Sequence, residues 1–298
     1  MMALAMDPDQ RSSADAKNRI LRLGQAMSAA VDSRLVGKNA ATDLALFSNT
    51  TANWTSAVFV PNTSFWCQDI RAKLTGFHMY AGDWSQSYGL QMITPRHAIS
   101  CGHNGPPPGK PLRYVRADGT VFETSISKWI NDCPNAGLTS DTKHTYVTDL
   151  SIYLLADEVP AWVYKAPILG LTSQHRAWLD TLDPPTVAVS QGSRTDGTSV
   201  QNTPNNRKLY VKSLLLKSPR TALRDPFYHA VTVGDSGTPE FILVNNTLYL
   251  YRIITGSDGS GVLVADYVSY INSLIARADA AAGISTGYTV TLSQNPVL

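Results

Sequence analysis

Cysteine is scarce in this chain. Cys67, Cys101 and Cys133 are the three among 298 residues, and their spacing matches neither a CxxC pair nor a Cys/His zinc pattern, which excludes a cysteine-held metal site. One disulfide with a free thiol, or three thiols, fits equally well, so the redox compartment stays open. Charge is scarce too: 16% of residues are charged and the formal balance is +2. A surface that neutralises a row of phosphates needs a denser cationic stripe, so nucleic acid is not expected as a partner. Long apolar runs are also missing. Phe241 to Val244 and Gly261 to Ala265 are among the longest and fall far short of the roughly 20 residues that cross a bilayer, so no membrane span is expected. The first residues, MMALAMDPDQRSS, lack a basic stretch followed by a sustained apolar one and make a poor secretory signal.

Apolar residues, by contrast, make up 43% of the chain, enough to close the core of one large domain or two modest ones. From Ser12 to about Val36, Ile20, Leu23, Met27, Val31 and Leu35 recur at three- and four-residue steps. That spacing predicts an amphipathic helix, with Gly37 as its stop. Thereafter short β-prone runs alternate with Gly, Pro and Asn clusters: YGLQMI, AISC, LRYVRA, VFETSISKW, YVTDLSIYLL, TVAVS, KLYVKSLLL, EFILV, TLYLYRIIT and GVLVA. Such texture predicts an all-β fold of antiparallel sandwich or barrel type. A second helix follows, capped by Asp266, lined by Tyr267, Ile271, Leu274, Ile275 and Ala278, and ended by Gly283. The tail, ISTGYTVTLSQNPVL, reads as one more strand or a linker, and no repeat of fixed period is present.

The strongest chemical signal is VTVGDSGTPEF, Val231 to Phe241. A serine between glycines can sit on a tight turn that exposes its hydroxyl, with the N–H groups of Gly234 and Ser236 converging as an oxyanion hole. It is not the GxSxG elbow, because Thr238 stands where the last glycine belongs. GDSGTP resembles the GDSGGP signature of the chymotrypsin-like (trypsin-like) serine proteases. LYRIITGS resembles that family's substrate-pairing strand, and GSGVLVADYVSYINSLI resembles its last strand and C-terminal helix.

The resemblance covers roughly residues 55–276 and implies two antiparallel six-stranded β-barrels, about 55–160 and about 161–276, with the active site between them. Residues 1–50 then form an N-terminal helical extension or pro-segment, and 277–298 a C-terminal tail. It also implies a His-Asp-Ser triad in that chain order. TDLSIYLL resembles the family's NDIALL segment and nominates Asp149. ITPRHAISCGH resembles ISPRHVLTAAH, which makes His103 the general base and leaves His97 in a strand-connecting turn; a rival register makes His97 the base but leaves YGLQMI without a counterpart. The other histidines read as surface or half-buried groups, with His229 the one placed to reach a pocket.

By the same resemblance Ala230 and Val231 form the base of the primary specificity pocket, with Ser257 and Gly261 at its walls. Thr255, Gly256 and Ser257 offer backbone groups to an extended substrate, and the Thr255 hydroxyl supports the triad aspartate. The function implied is a serine endopeptidase that cleaves protein or peptide substrates after apolar or small residues, with neither metal nor organic cofactor. A catalytically silent protease-like module and a serine esterase are the alternatives. The family favours an extracytoplasmic location and leaves the oligomeric state open. The departures are Thr238, the non-matching cysteines, and the lack of an IVGG-like start: Arg34 to Gly37 is a faint echo at a helix end, so Asp235, which such a start would pair with, is expected to find an Arg, a Lys or backbone donors instead.

Overall fold

The computed structural model describes residues 8–48, 59–78, 89–103, 105–131, 148–191, 212–217, 221–231, 235–256 and 258–294. Two sheets carry the fold. The first holds β1 (Gln91–Met92), β2 (His97–Cys101), β3 (Pro111–Val115), β4 (Val121–Asn131) and β5 (Leu150–Leu155), in the order β1-β2-β5-β4-β3 and antiparallel throughout. The second holds β6 (Ile168–Leu169), β7 (Thr186–Gln191), β8 (Lys212–Lys217), β9 (Pro239–Val244), β10 (Thr247–Ile254), β11 (Gly261–Leu263) and β12 (Leu292–Ser293). Its order is β12-β6-β10-β9-β7-β8, with β11 also on β10. The protein is thus mostly β-sheet, with a curled half-barrel sheet and helices at both ends.

Where the sequence predicts six and six antiparallel strands, the described residues give five and seven. The larger sheet also contains two parallel pairings, β10 with β6 and β12 with β6. The first sets Ile168 beside Leu250, and the second arises because the tail returns to the sheet and lays Leu292 on the other side of Ile168. The strand chemistry is otherwise as the pattern dictates. β5 and β9 are buried at every position and are mostly apolar, broken only by Ser151 in β5 and Glu240 in β9, whereas Leu248 and Leu250 of β10 alternate with half-buried residues. Asn245 and Asn246, at φ 46° and 59°, make the two-residue turn between β9 and β10 and set Val244 opposite Thr247.

Helix α1 spans Pro8–Leu35, and its five-residue stripe is at most 1% exposed. Gly37, at φ 73°, turns the chain away. A one-turn helix α2 (Ala40–Asp43) follows. Ile20, Leu23 and Met27 pack against Ile242 and Val244 of β9 and against Leu179 of α3 (Ser173–Asp180). Helix α3 has no counterpart in the sequence reading; Thr172 caps it, and His175 fills the reciprocal position usually held by Glu or Gln. Leu23→Ala is expected to cost about 2–5 kcal/mol, read as a lower urea midpoint at unchanged slope.

Helix α4 (Val268–Ala281) buries Ile271, Leu274, Ile275 and Ala278 as expected and ends at Gly283, φ 67°. Asp266 is not its cap. It lies in a 3₁₀ turn, Val264–Tyr267, and pairs with Arg176 of α3 through two hydrogen bonds of 2.9 Å. One core cluster runs through both sheets, joining Ile99, Ile152 and Leu154 to Phe241, Leu243 and Leu250. Cys67 and Cys101 are fully buried, while Cys133 lies outside the described residues.

Candidate active site

The β2–β5 ladder ends with Cys101 opposite Leu150. One step further, Gly102 donates its N–H to the Asp149 carbonyl at 3.2 Å. The Asp149 side chain then curls over the strand end. Its Oδ1 accepts the N–H groups of Gly102 (2.8 Å) and His103 (2.9 Å), and its Oδ2 accepts His103 Nδ1–H at 2.6 Å. The Asn131 amide donates to the Gly102 carbonyl, bracing the same backbone from β4. A carboxylate so held keeps the imidazole in the tautomer that leaves Nε2 as a base. The hydrogen bond to Asp149 raises the His103 pKa above its ordinary value; burial opposes this, and the Asp149 charge adds to it.

His97 is built differently. It opens β2 rather than lying in the preceding turn, because its backbone pairs with Leu154 of β5, and it is fully buried. Nδ1 lies 2.8 Å from Thr94 Oγ and Nε2 lies 3.1 Å from Asp279 Oδ1 of α4. Burial lowers its pKa, against the opposing pull of Asp279. His78 is also fully buried, not half-exposed as the sequence suggested. His144 lies outside the described residues.

Ser236 occupies a tight turn in which Gly237, at φ 86°, donates to the Ile254 carbonyl (2.7 Å) and Thr238 donates to the Asp235 carbonyl (3.0 Å). The turn is seated on β2. A Cβ on Gly237 would collide with the Ser100 hydroxyl, which donates to the Gly89 carbonyl, and a Cβ on Gly89 would run into the Gly237 carbonyl. The serine turn therefore touches the strand that delivers His103, three residues before it. The Ser236 hydroxyl itself faces the Thr255 carbonyl at 3.5 Å and is not hydrogen-bonded to His103. Thr255 meets the site through that carbonyl: among the described residues its hydroxyl makes no hydrogen bond to Asp149, whose two oxygens already accept from Gly102 and His103. Gly234 and Ser257 lie outside the described residues.

Ala230, Val231 and Gly261 line a cavity of about 670 Å³ together with Gly259, Glu240 and Arg252. Its walls are not wholly apolar. Glu240, 1% exposed, accepts from Arg252 Nε and Nη2 at 3.0 Å each and from the Thr186 hydroxyl at 2.6 Å. The two charges offset each other, and the pair exists because β9–β10 register sets Glu240 across from Arg252. The N–H groups of Thr255 and Gly256 donate to the Ser260 carbonyl at 3.0 and 3.1 Å. An extended peptide therefore has to use other groups here or open this turn. Asp235, expected beside Arg, Lys or backbone donors, has a histidine beside it: His229 Nε2 lies 3.3 Å from its Oδ2. No protein-family model matches the chain, and no curated protein matches it either. The chemistry of the site stands on its geometry.

Proposed function

We propose that the protein is a serine endopeptidase of chymotrypsin-like type, its two sheets forming the two barrels that the sequence resemblance implies. The single observation that carries this reading is the Asp149 carboxylate, which takes two backbone N–H groups on one oxygen and the His103 ring on the other, beside a strand on which the Ser236 turn is seated. GDSGTP supplies the nucleophile in the chain order His103, Asp149, Ser236.

In the reaction the Ser236 hydroxyl leaves the Thr255 carbonyl and gives its proton to His103 Nε2 as Oγ attacks the scissile carbonyl carbon. Free-state hydrogen bonds of this kind are often made only once substrate is present. Asp149 stabilises the imidazolium, and the Gly234 and Ser236 N–H groups take the oxyanion. His103 then protonates the leaving amine, and a water molecule activated by the same ring hydrolyses the acyl-enzyme. A substrate N–H takes the place of the Ser236 hydroxyl at the Thr255 carbonyl. With Ala230 and Val231 at its base and the Glu240–Arg252 charges mutually offset, the pocket floor favours apolar or small side chains, while Asp180, Asp183, Asp258, Arg176 and Lys217 set the charge around it.

A fluorophosphonate probe is expected to label Ser236, identified by peptide mass. Because the base must be neutral, labelling and kcat/KM rise with pH through the His103 pKa. The Asp149 hydrogen bond puts that midpoint above the ordinary imidazole value of about 6.5, and Asp149→Asn moves it down. A folded protein that leaves Ser236 unlabelled is a silent module, and hydrolysis of simple esters without peptide amides makes it an esterase.

A further inference from the structure

Asp235 immediately precedes the proposed nucleophile and is 5% exposed. A carboxylate that far from water needs donors around it. His229 supplies one, its Nε2 lying 3.3 Å from Asp235 Oδ2. The histidine is itself anchored: its N–H donates to the Leu216 carbonyl at 3.0 Å, and Tyr228 bridges to the same residue, so the ring is tied to β8. On the other side, the Asp235 carbonyl accepts the Thr238 N–H and closes the turn that carries Ser236. A continuous run of contacts therefore leads from β8 through His229 and Asp235 to the Ser236 backbone.

We infer that His229 is a positioning residue for Ser236: it holds the Asp235 carboxylate, and through it the N–H and hydroxyl of the nucleophile, without touching substrate. This rests on Ser236 being the nucleophile. Removing the ring leaves a buried carboxylate short of a donor, and the carboxylate then moves toward water or takes a proton. Either change displaces the residue next to it, and small displacements of reacting groups have large kinetic effects.

The test is the fluorophosphonate labelling rate and peptide-amide kinetics of wild type, His229→Ala, His229→Gln and Asp235→Asn. His229→Ala is expected to slow labelling by about 10²-fold, as for a reacting group displaced by about 1 Å, with KM nearly unchanged. Added imidazole restores part of the loss in His229→Ala and does nothing to wild type, and His229→Gln, which keeps an N–H donor, falls between the two. Combining His229→Ala with Asp235→Asn adds little to Asp235→Asn alone, because the two act as one unit. Labelling of His229→Ala at the wild-type rate overturns the inference. So does a loss that neither imidazole nor glutamine relieves, or losses that add in the double variant. Should His229→Ala fail to fold, His229→Gln and Asp235→Asn carry the same comparison: a glutamine variant as slow as Asp235→Asn overturns the inference. Wild-type protein that never labels removes the nucleophile reading and this one with it, an outcome distinct from all the others.

Discussion

His103→Ala is expected to lower kcat/KM for peptide hydrolysis by about 10⁴–10⁶-fold, the range seen when one member of such a triad is removed. His97→Ala is expected to leave most of the activity per folded molecule in place. The two differ because only His103 has its Nδ1–H committed to a carboxylate while its ring stays partly exposed. Both His97 nitrogens are spent inside the protein on Thr94 and Asp279. A urea-melt amplitude and midpoint taken on each preparation before assay separates loss of chemistry from loss of folded protein. Ser236→Ala should match His103→Ala, and the double variant should be no worse, since nucleophile and base act as one unit. If His97→Ala instead abolished turnover in molecules that remained folded while His103→Ala retained it, the rival register would be correct.

Asp279→Ala is expected to cost about 3 kcal/mol of stability, because it strips the acceptor from the buried His97 ring and from two half-buried Thr286 donors, at about 1–3 kcal/mol for a buried one left unsatisfied. Asp279 accepts from the His97 ring (3.1 Å), the Thr286 N–H (2.9 Å) and the Thr286 hydroxyl (2.6 Å). His97 is the neutral partner in this contact. The Thr94 hydroxyl already accepts the N–H groups of Arg96 and His97, so it is free to donate its own proton to Nδ1, leaving Nε2–H to point at Asp279.

The pH dependence follows from both depressed values. Burial pushes the His97 pKa below its ordinary value. As pH falls below about 6.5 the unfolded chain takes up a proton that the folded one refuses, and stability declines toward the lower folded value. Burial alone would raise Asp279, but the Thr286 hydroxyl and N–H, with His97, outweigh it and hold the carboxyl below the usual range. Its contribution is present above about pH 4 and is lost as pH falls through the depressed folded value. Urea midpoints measured from pH 7 down to pH 3 should therefore show two declines. His97→Phe removes the upper one and Asp279→Ala the lower. A midpoint for Asp279→Ala equal to that of wild type across this range would show that the contact is energetically idle.

Much of this was legible in the sequence, for physical reasons. Strands buried on both faces, such as β5 and β9, write themselves as apolar runs with one polar interruption each, and α1 as a stripe. The sequence separates the two histidines of ITPRHAISCGH by their neighbours; the structure sets His103 against Asp149, and His97 opens β2 rather than preceding it. Other features depend on pairing that no local pattern records. The parallel partners β6 and β12 are two residues each, too short for any periodicity. Glu240 and Arg252 become a pair only once the β9–β10 register is known. The contact between His229 and Asp235 was missed because a histidine was not considered among the partners of that acid. Helix α3 spans barely two turns, and its capping box uses a histidine where Glu or Gln is the usual signal.

The apolar stripe of α1 leaves the ribosome well before its seat on Ile242 and Val244, which is made some two hundred residues later. The β6 edge likewise waits for Leu292, far later in the chain. Synthesis and packing thus run in opposite order. A nascent chain carries an uncovered greasy helix until β9 is made, the kind of segment that chaperones hold and that drives aggregation when they do not. Contacts this distant in sequence also make for slow folding. Low yield from rapid overexpression, improved by cooling or by added chaperone, is the practical sign of that order.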